Sequence, residues 1–249
     1  MKTVLITGCS SGFGLDTAQY FLDRGWKVIA TMRTPRHDVL PRSEHLRVLA
    51  LDVTDADSIS RAVQEAGPID ALVNNAGIGL LSTVEGTAMD TVRAIFATNT
   101  LGTMAMTQAL LPQLRQRKDG VIVNVTSIVT AQPLPLLAIY TASKAAVNAY
   151  TESLALELAQ FNVRVRLVLP GRSPQTRFGA NAQALMEGGV PEAYAGFAQR
   201  HFAAMAEAND PAQVTHAADV AQAVWRAVNE PSSPMRIPAG ADAVALSSR

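Results

Sequence analysis

The chain has 249 residues, which suits one large α/β domain better than two small ones. Apolar residues make up 48% and aromatics only 5%, so a sizeable core can form and must be packed mainly with aliphatic side chains. Lys plus Arg and Asp plus Glu both number 21, and this zero balance offers no field to nucleic acid or an anionic membrane, leaving a small molecule as the expected partner. The opening run Met1-Lys2-Thr3-Val4-Leu5-Ile6-Thr7-Gly8 reaches a glycine before a signal-peptide core can form. No apolar run approaches the ~18 residues needed to span a bilayer. The lone cysteine, Cys9, excludes an internal disulfide and fits a reducing compartment, so the expectation is a cytoplasmic protein.

Thr3–Ile6 reads as a first strand, followed by Thr7-Gly8-Cys9-Ser10-Ser11-Gly12-Phe13-Gly14 and a helix over Gly12–Arg24. Glycines in such a strand-to-helix turn let the backbone approach a ligand closely, and the helix N-terminus offers unpaired N–H groups to a pyrophosphate. The spacing G-x-x-x-G-x-G makes Gly8, Ser10, Ser11, Gly12, Phe13 and Gly14 candidate cofactor-binding residues. A second strand, Lys27–Thr31, runs into Met32-Arg33 with no acid until Asp38. An acid there would select NAD by its ribose hydroxyl. Arg33 can instead stack on adenine and pair with a 2′-phosphate through its planar fork, so NADP(H) is the expected cofactor. Strand Leu46–Leu49 is followed by Asp52-Val53, which either holds the adenine amino group or caps the helix predicted over Asp55–Glu65. Strand Ala71–Val73 leads into Asn74-Asn75-Ala76-Gly77, where Asn75, Ala76 and Gly77 would line a cofactor channel or serve turn chemistry alone.

Helices over Ala88–Thr98 and Thr103–Arg117 precede strand Val121–Val125 and Ser127, whose hydroxyl would hold and polarise a substrate oxygen. The helix Ile139–Gln160 carries Tyr140 and Lys144 four residues apart, hence on one face. A tyrosine of pKa near ~10 is a poor proton-transfer group at neutral pH, and a neighbouring cation would bring it down. Alanines 142, 145, 146 and 149 on this helix allow close packing, on the sheet or on a second copy. After strand Val163–Leu169 the rhythm breaks: from Gly171 to about Pro211 no strand is expected, and this long, partly helical stretch reads as a lid over a site in preference to plain core-packing helices. Arg172, Arg177 and Arg200 within it could read an acidic substrate, but read better as solvated surface cations. A helix over Ala217–Asn229 follows, and strand–helix alternation throughout means a parallel, doubly wound sheet with helices on both faces.

The order of these features resembles the short-chain dehydrogenase/reductase family over nearly the whole chain. The matching motifs are T-G-x-x-x-G-x-G at Thr7–Gly14, N-N-A-G at Asn74–Gly77, Asn99, Ser127, Tyr140, Lys144 and P-G at Pro170-Gly171. The resemblance implies a single Rossmann domain over 1–249 and nicotinamide chemistry, with a homotetramer or dimer as the usual assembly. It also implies roles: Tyr140 as general acid/base, Lys144 lowering its pKa and binding ribose, Ser127 orienting the carbonyl, and Asn99 holding a water in a proton relay to Lys144. Pro170 and Gly171 would lie against the nicotinamide. The family's carboxamide-binding threonine stands five residues after that proline, whereas Thr176 stands six after it. Either the loop bulges and Thr176 reaches, or Ser173 or a backbone amide takes its place. The expected activity is interconversion of a ketone or aldehyde and an alcohol, as in carbonyl reductases, ketoreductases and alcohol dehydrogenases. An apolar lid and the Leu- and Pro-rich segment Val129–Leu137 favour a hydrophobic substrate. The competing readings are a 3-oxoacyl-thioester reductase and a non-catalytic NADP(H) sensor. Nothing in the sequence suggests a metal site.

Overall fold

Strands rich in Val, Ile and Leu on both faces need cover on both sides, and they receive it. The computed structural model describes residues 1–176, 182, 190–207 and 210–247. A seven-stranded sheet is formed by β1 (Thr3–Ile6), β2 (Lys27–Met32), β3 (Leu46–Ala50), β4 (Ala71–Asn74), β5 (Gly120–Val125), β6 (Val163–Pro170) and β7 (Arg236–Ala239) in the order β3-β2-β1-β4-β5-β6-β7. Every pairing is parallel, with Val4 opposite Val28 on one side and Ala71 on the other. The strand order reverses between β1 and β4, the place where doubly wound folds open a ligand crevice at the carboxyl ends of the strands. The sheet confirms the doubly wound Rossmann architecture expected from the sequence.

The β-strand alternation sorts the core into two layers. Val4 and Ile6 face α1 (Gly12–Leu22) and the helix Ala217–Asn229, packing with Ala18, Phe21, Val220 and Val224. Leu5, Leu72 and Ile122 face the other way, onto α2 (Ala56–Ala66), α4 (Gly102–Arg117) and α5 (Ala138–Leu158) through Ile59, Met106, Leu110 and Leu154. Between α2 and α4 lies α3 (Met89–Phe96); then follow α6 (Glu192–Glu207), α7 (Ala217–Asn229) and α8 (Ala241–Ser247).

Two local departures from the sequence reading matter. The helices expected over 88–98 and 103–117 join through a π-helical turn, Ala97–Leu101, which carries Asn99. The strand β7 breaks the expected pattern because it is short and contains Pro238. A proline lacks the N–H that a central strand must donate, and β7 tolerates it as an edge strand. Of the stretch read as a lid, 177–181, 183–189 and 208–209, Arg177 included, lie outside the described residues, while α6 accounts for most of the remainder.

The two faces are not packed alike. On the α1/α7 side, Phe21 meets Trp225 edge-on at 5.0 Å between ring centroids and Trp26 at 5.2 Å. Phe21 is fully buried, so Phe21→Ala removes the centre of this trio, with an expected loss of about 3–5 kcal/mol. Leu156→Ala, at a side chain 81% exposed on α5, is expected to cost under about 0.5 kcal/mol. Urea denaturation of the two variants checks the contrast.

Candidate functional site

At the end of β1 the backbone turns at Gly8, in the left-handed region at φ +75°, and runs into α1. The turn is held from β4. Thr7 Oγ accepts hydrogen bonds from the backbone N–H groups of Asn75 (3.0 Å) and Ala76 (2.9 Å). In return, the Asn75 side-chain amide donates to the carbonyls of Thr7 (2.9 Å) and Gly8 (3.2 Å). Asn75 thus spends its amide on shaping the turn. Gly14 must be glycine, because a Cβ there would collide with the Asn75 amide and the Gly8 carbonyl. Ser11, the N-cap of α1, makes no side-chain capping bond, which leaves the first-turn N–H groups facing the cleft without one.

That cleft, of about 720 Å³, is lined by Gly8, Ser10, Ser11, Gly12 and Phe13 of the turn, by Arg33, Asp52 and Val53, by Asn75, Ala76 and Gly77, and by Tyr140, Lys144 and Thr176. With Ala94, Ala97, Thr98, Val125 and Thr126 also on its wall, the cleft gathers residues from eight separate stretches of chain around one space. Thr176 arrives despite its displaced spacing: its methyl group lies about 3.6 Å from where a Gly12 Cβ would be, and its hydroxyl donates to the Ser173 carbonyl at 2.9 Å. Gly14, Asn99, Ser127, Pro170 and Gly171 are not among the residues that line the cleft. Another depression, of about 850 Å³, lies beside the edge strand β3 between His37 and Leu49 and contains none of these groups.

At one end of the cleft the electrostatics are polar and open. Asp52 Oδ1 accepts from the Thr54 hydroxyl (2.7 Å) and backbone N–H (2.9 Å), and these bonds, with the Arg33 charge adding, hold its carboxyl below the usual range. Helix capping falls to Asp55, which accepts from the N–H groups of Asp57 and Ser58. Arg33 is exposed at the rim, while Arg36 pairs with Asp38 at 3.6 Å.

The other end is dry. Ser127 and Tyr140 are each 7% exposed, Lys144 5% and Asn99 not at all. The Ser127 hydroxyl is hydrogen-bonded to the Tyr140 phenol. Lys144 Nζ donates to the Val125 carbonyl at 3.0 Å. The sequence argument expects the ammonium to bring the phenol's pKa down. In the structure burial dominates instead, pushing Tyr140 up, with the Ser127 hydrogen bond opposing it. Burial likewise lowers Lys144, to about 8, because the charged form loses its water. The Asn99 side chain ties two segments together: it accepts from Ile78 N–H (2.8 Å) and donates to Ile78 C=O (2.9 Å) and Ser143 Oγ (3.0 Å).

Beyond Tyr140 the wall is apolar: Val129, Leu137 and Leu81 pack with its ring. Only the ends of the segment Val129–Leu137 are buried; Ala131–Pro135 are exposed. Leu136 adopts the left-handed conformation (φ +61°), unusual for a branched side chain, and its carbonyl accepts from Ser82 N–H at 2.8 Å. Sequence reasoning passed over Leu136, Ser143 and the role of Thr7, since no local pattern shows which distant backbone group a hydroxyl or carbonyl will meet. Arg172, read as a solvated cation, instead donates to the Met205 carbonyl at 3.2 Å. Among the described residues no group of three or more His, Cys, Asp or Glu side chains could hold a metal, and no helix is long and apolar enough to cross a membrane.

The family model for short chain dehydrogenases matches residues 2–184. The chain is 39% identical to 3-ketodihydrosphingosine reductase of Bacteroides thetaiotaomicron over 174 residues, which is 68% of this chain and 63% of that protein. It is 37% identical to retinol dehydrogenase 8 of Bos taurus over 184 residues, covering 68% and 58%. The chain therefore spans less than two thirds of the length of these curated relatives. A short-chain dehydrogenase from Streptomyces avermitilis superposes with a TM-score of 0.81 at 30% identity, covering 99% of this chain and 90% of that one. A short chain dehydrogenase from Burkholderia cenocepacia J2315, crystallised with NADP, gives a TM-score of 0.78 at 27% identity, covering 100% and 93%.

The depressed Lys144 pKa is directly measurable. In a pH titration of ¹³C-labelled lysine followed by NMR, one resonance is expected to titrate near about 8 and to vanish in Lys144→Met, with the ammonium present below that pH and lost above it. A titration of that resonance only above pH 10 refutes the burial argument.

Proposed function

The chain belongs to the short-chain dehydrogenase/reductase family, and from that premise we propose that it is an NADP(H)-dependent enzyme interconverting a hydrophobic ketone or aldehyde and its alcohol. The observation that carries the reading is the hydrogen-bonded Ser127–Tyr140 pair, buried beside Lys144 at the closed end of a cleft floored by a glycine turn. The cleft suits a dinucleotide: the uncapped start of α1, among the lining of the cleft, suits a pyrophosphate. Arg33 at the open rim, with no acid beside it on β2, favours a 2′-phosphate, and the NADP-bound relative from Burkholderia agrees with that choice.

When bound, the reduced nicotinamide supplies a hydride to the carbonyl carbon. The protein's own residues handle the oxygen. Ser127 Oγ holds and polarises it, and Tyr140 Oη gives up its proton as the alkoxide develops, the reverse transfer serving oxidation. The raised Tyr140 pKa keeps the phenol protonated at neutral pH, the form that reduction needs. Lys144 places its charge beside this proton transfer and binds the ribose. Asn99, fully buried in its π-helical turn, would hold a water in a proton relay to Lys144. Pro170, Gly171 and Thr176 would hold the nicotinamide. Leu81, Val129 and Leu137 form the substrate's apolar wall. The exposed alanines 142, 145 and 149 along α5 offer a close-packing face for a homodimer or tetramer. A reducing cytoplasm suits a protein whose lone Cys9 is fully buried.

The test is loss of reduced-nicotinamide absorbance with purified protein, a panel of apolar ketones, and NADPH and NADH in parallel. Tyr140→Phe is expected to reduce turnover by about 10³-fold or more while NADPH still binds; retained turnover overturns the mechanism. Arg33→Ala is expected to raise the KM for NADPH by about tenfold or more, the loss of a charged hydrogen bond, while leaving that for NADH unchanged. Equal effects on both cofactors would remove Arg33 as the phosphate reader.

A further inference from the structure

The segment Pro170–Thr176 runs from the end of β6 to a residue that lines the cleft, yet most of its backbone bonds come from the C-terminal part of the chain. Gly171 N–H donates to Thr215 Oγ at 2.9 Å, and Thr215 N–H donates back to the Arg172 carbonyl at 2.8 Å. Arg172 N–H donates to Asp242 Oδ2 at 2.6 Å. The Thr215 hydroxyl in turn has the Asp242 Oδ1 (2.7 Å) and the Ala239 carbonyl (2.8 Å) within reach as acceptors. Thr215 is fully buried. No side chain fits at Gly171, where a Cβ would overlap the Asp242 carboxylate, nor at Gly240, where it would overlap the Thr215 hydroxyl. Thr215, Gly240 and Asp242 all lie beyond the region matched by the family model.

We propose that Thr215 and Asp242 are positioning residues that clamp the backbone of Gly171 and Arg172, and so set where the Pro170–Thr176 loop stands against a bound dinucleotide. The proposal rests on the cofactor reading above, and deepens it by placing control of the loop in the segments around β7. The clamp reaches further than the loop. The side chain of Arg172, whose backbone it fixes on both sides, holds the Met205 carbonyl at the end of α6. Chemistry limits which substitutions it tolerates. An asparagine at 242 can still accept from Arg172 N–H while donating to Thr215 Oγ, and Thr215 can then donate to Ala239, so every group stays paired. A leucine of similar size leaves the Arg172 N–H unpaired; Thr215→Val leaves the Gly171 N–H only its longer bond to the Ala239 carbonyl, 3.3 Å, whereas Thr215→Ser keeps the hydroxyl.

The experiment measures NADPH dissociation constants by fluorescence, and amide hydrogen exchange, for T215V, T215S, D242L and D242N in the full chain. T215V and D242L are expected to bind NADPH about tenfold more weakly and to lose protection at Gly171 and Arg172 while β1–β5 stay protected. T215S and D242N are expected to stay within about threefold of the parent. Unchanged protection at Gly171 and Arg172 in T215V overturns the clamp, as does loss of protection spread evenly over the sheet, which marks a merely structural role. Parent-like NADPH binding with the two amides released overturns the link to the cofactor. If the parent protein itself binds no NADPH, the cofactor reading fails, and the exchange data alone decide the clamp.

Discussion

The ends of β1 and β4 are held together by a reciprocal exchange: Thr7 Oγ takes the backbone N–H groups of Asn75 and Ala76, and the Asn75 amide takes the carbonyls of Thr7 and Gly8. Ladder hydrogen bonding cannot continue past a strand end, so these groups would otherwise be buried without partners. Here they pair across the point at which the strand order reverses. Because side chains make the bonds, the two backbones diverge immediately afterwards and leave a cleft between them. The constraint propagates outward. Gly14 has no room for a Cβ beside Asn75, α1 begins where its free N–H groups face the opening, and Gly77 is delivered to within reach of Asn99 and Lys144.

The closed end of the cleft obeys a different rule. Water is excluded, so burial drives each ionisable group toward its neutral form, raising Tyr140 and lowering Lys144. The same dryness makes a hydrogen bond or a charge there worth more than it would be in water. The Ser127 hydroxyl on the phenol and the Val125 carbonyl on the ammonium hold the two groups in place without a carboxylate. Leu136, left-handed and bonded to Ser82, indicates that the backbone between β5 and α5 accepts strain to bring its apolar wall against the Tyr140 ring.

Support for this end runs deep into the sheet. The Asn74 amide donates to Thr107 Oγ and to Asn124 Oδ1, and Asn124 donates to Thr151 Oγ. Along α4, Thr107 bonds to the Thr103 carbonyl and Thr103 to the carbonyl of Asn99. A buried polar chain thus ties β4, β5 and α5 to the π-helical turn. Such a network fixes one arrangement of the helices more tightly than aliphatic packing alone can.

What could be read from the chain depended on the range of the interactions involved. Six strands, the glycine turn and the Tyr140–Lys144 pair were legible because they rest on spacing: period two for buried strands, and four residues for one helix face. Arg33 was legible as a candidate because a strand end is a defined place, and the absence of an acid there has electrostatic meaning. The two helices around Asn99 were read separately, because a π-helical turn leaves no mark on apolar periodicity; β7 was hidden by its proline. Only the tertiary structure decided that Thr176 reaches the cleft despite its shifted position, that Asp55 rather than Asp52 caps α2, and that Arg172 turns inward to Met205. It alone showed burial outweighing every other influence on the Tyr140 phenol. These outcomes share one physical reason. Each depends on which groups from distant parts of the chain arrive within hydrogen-bonding range, and on how much water they displace, and neither quantity is encoded in local spacing.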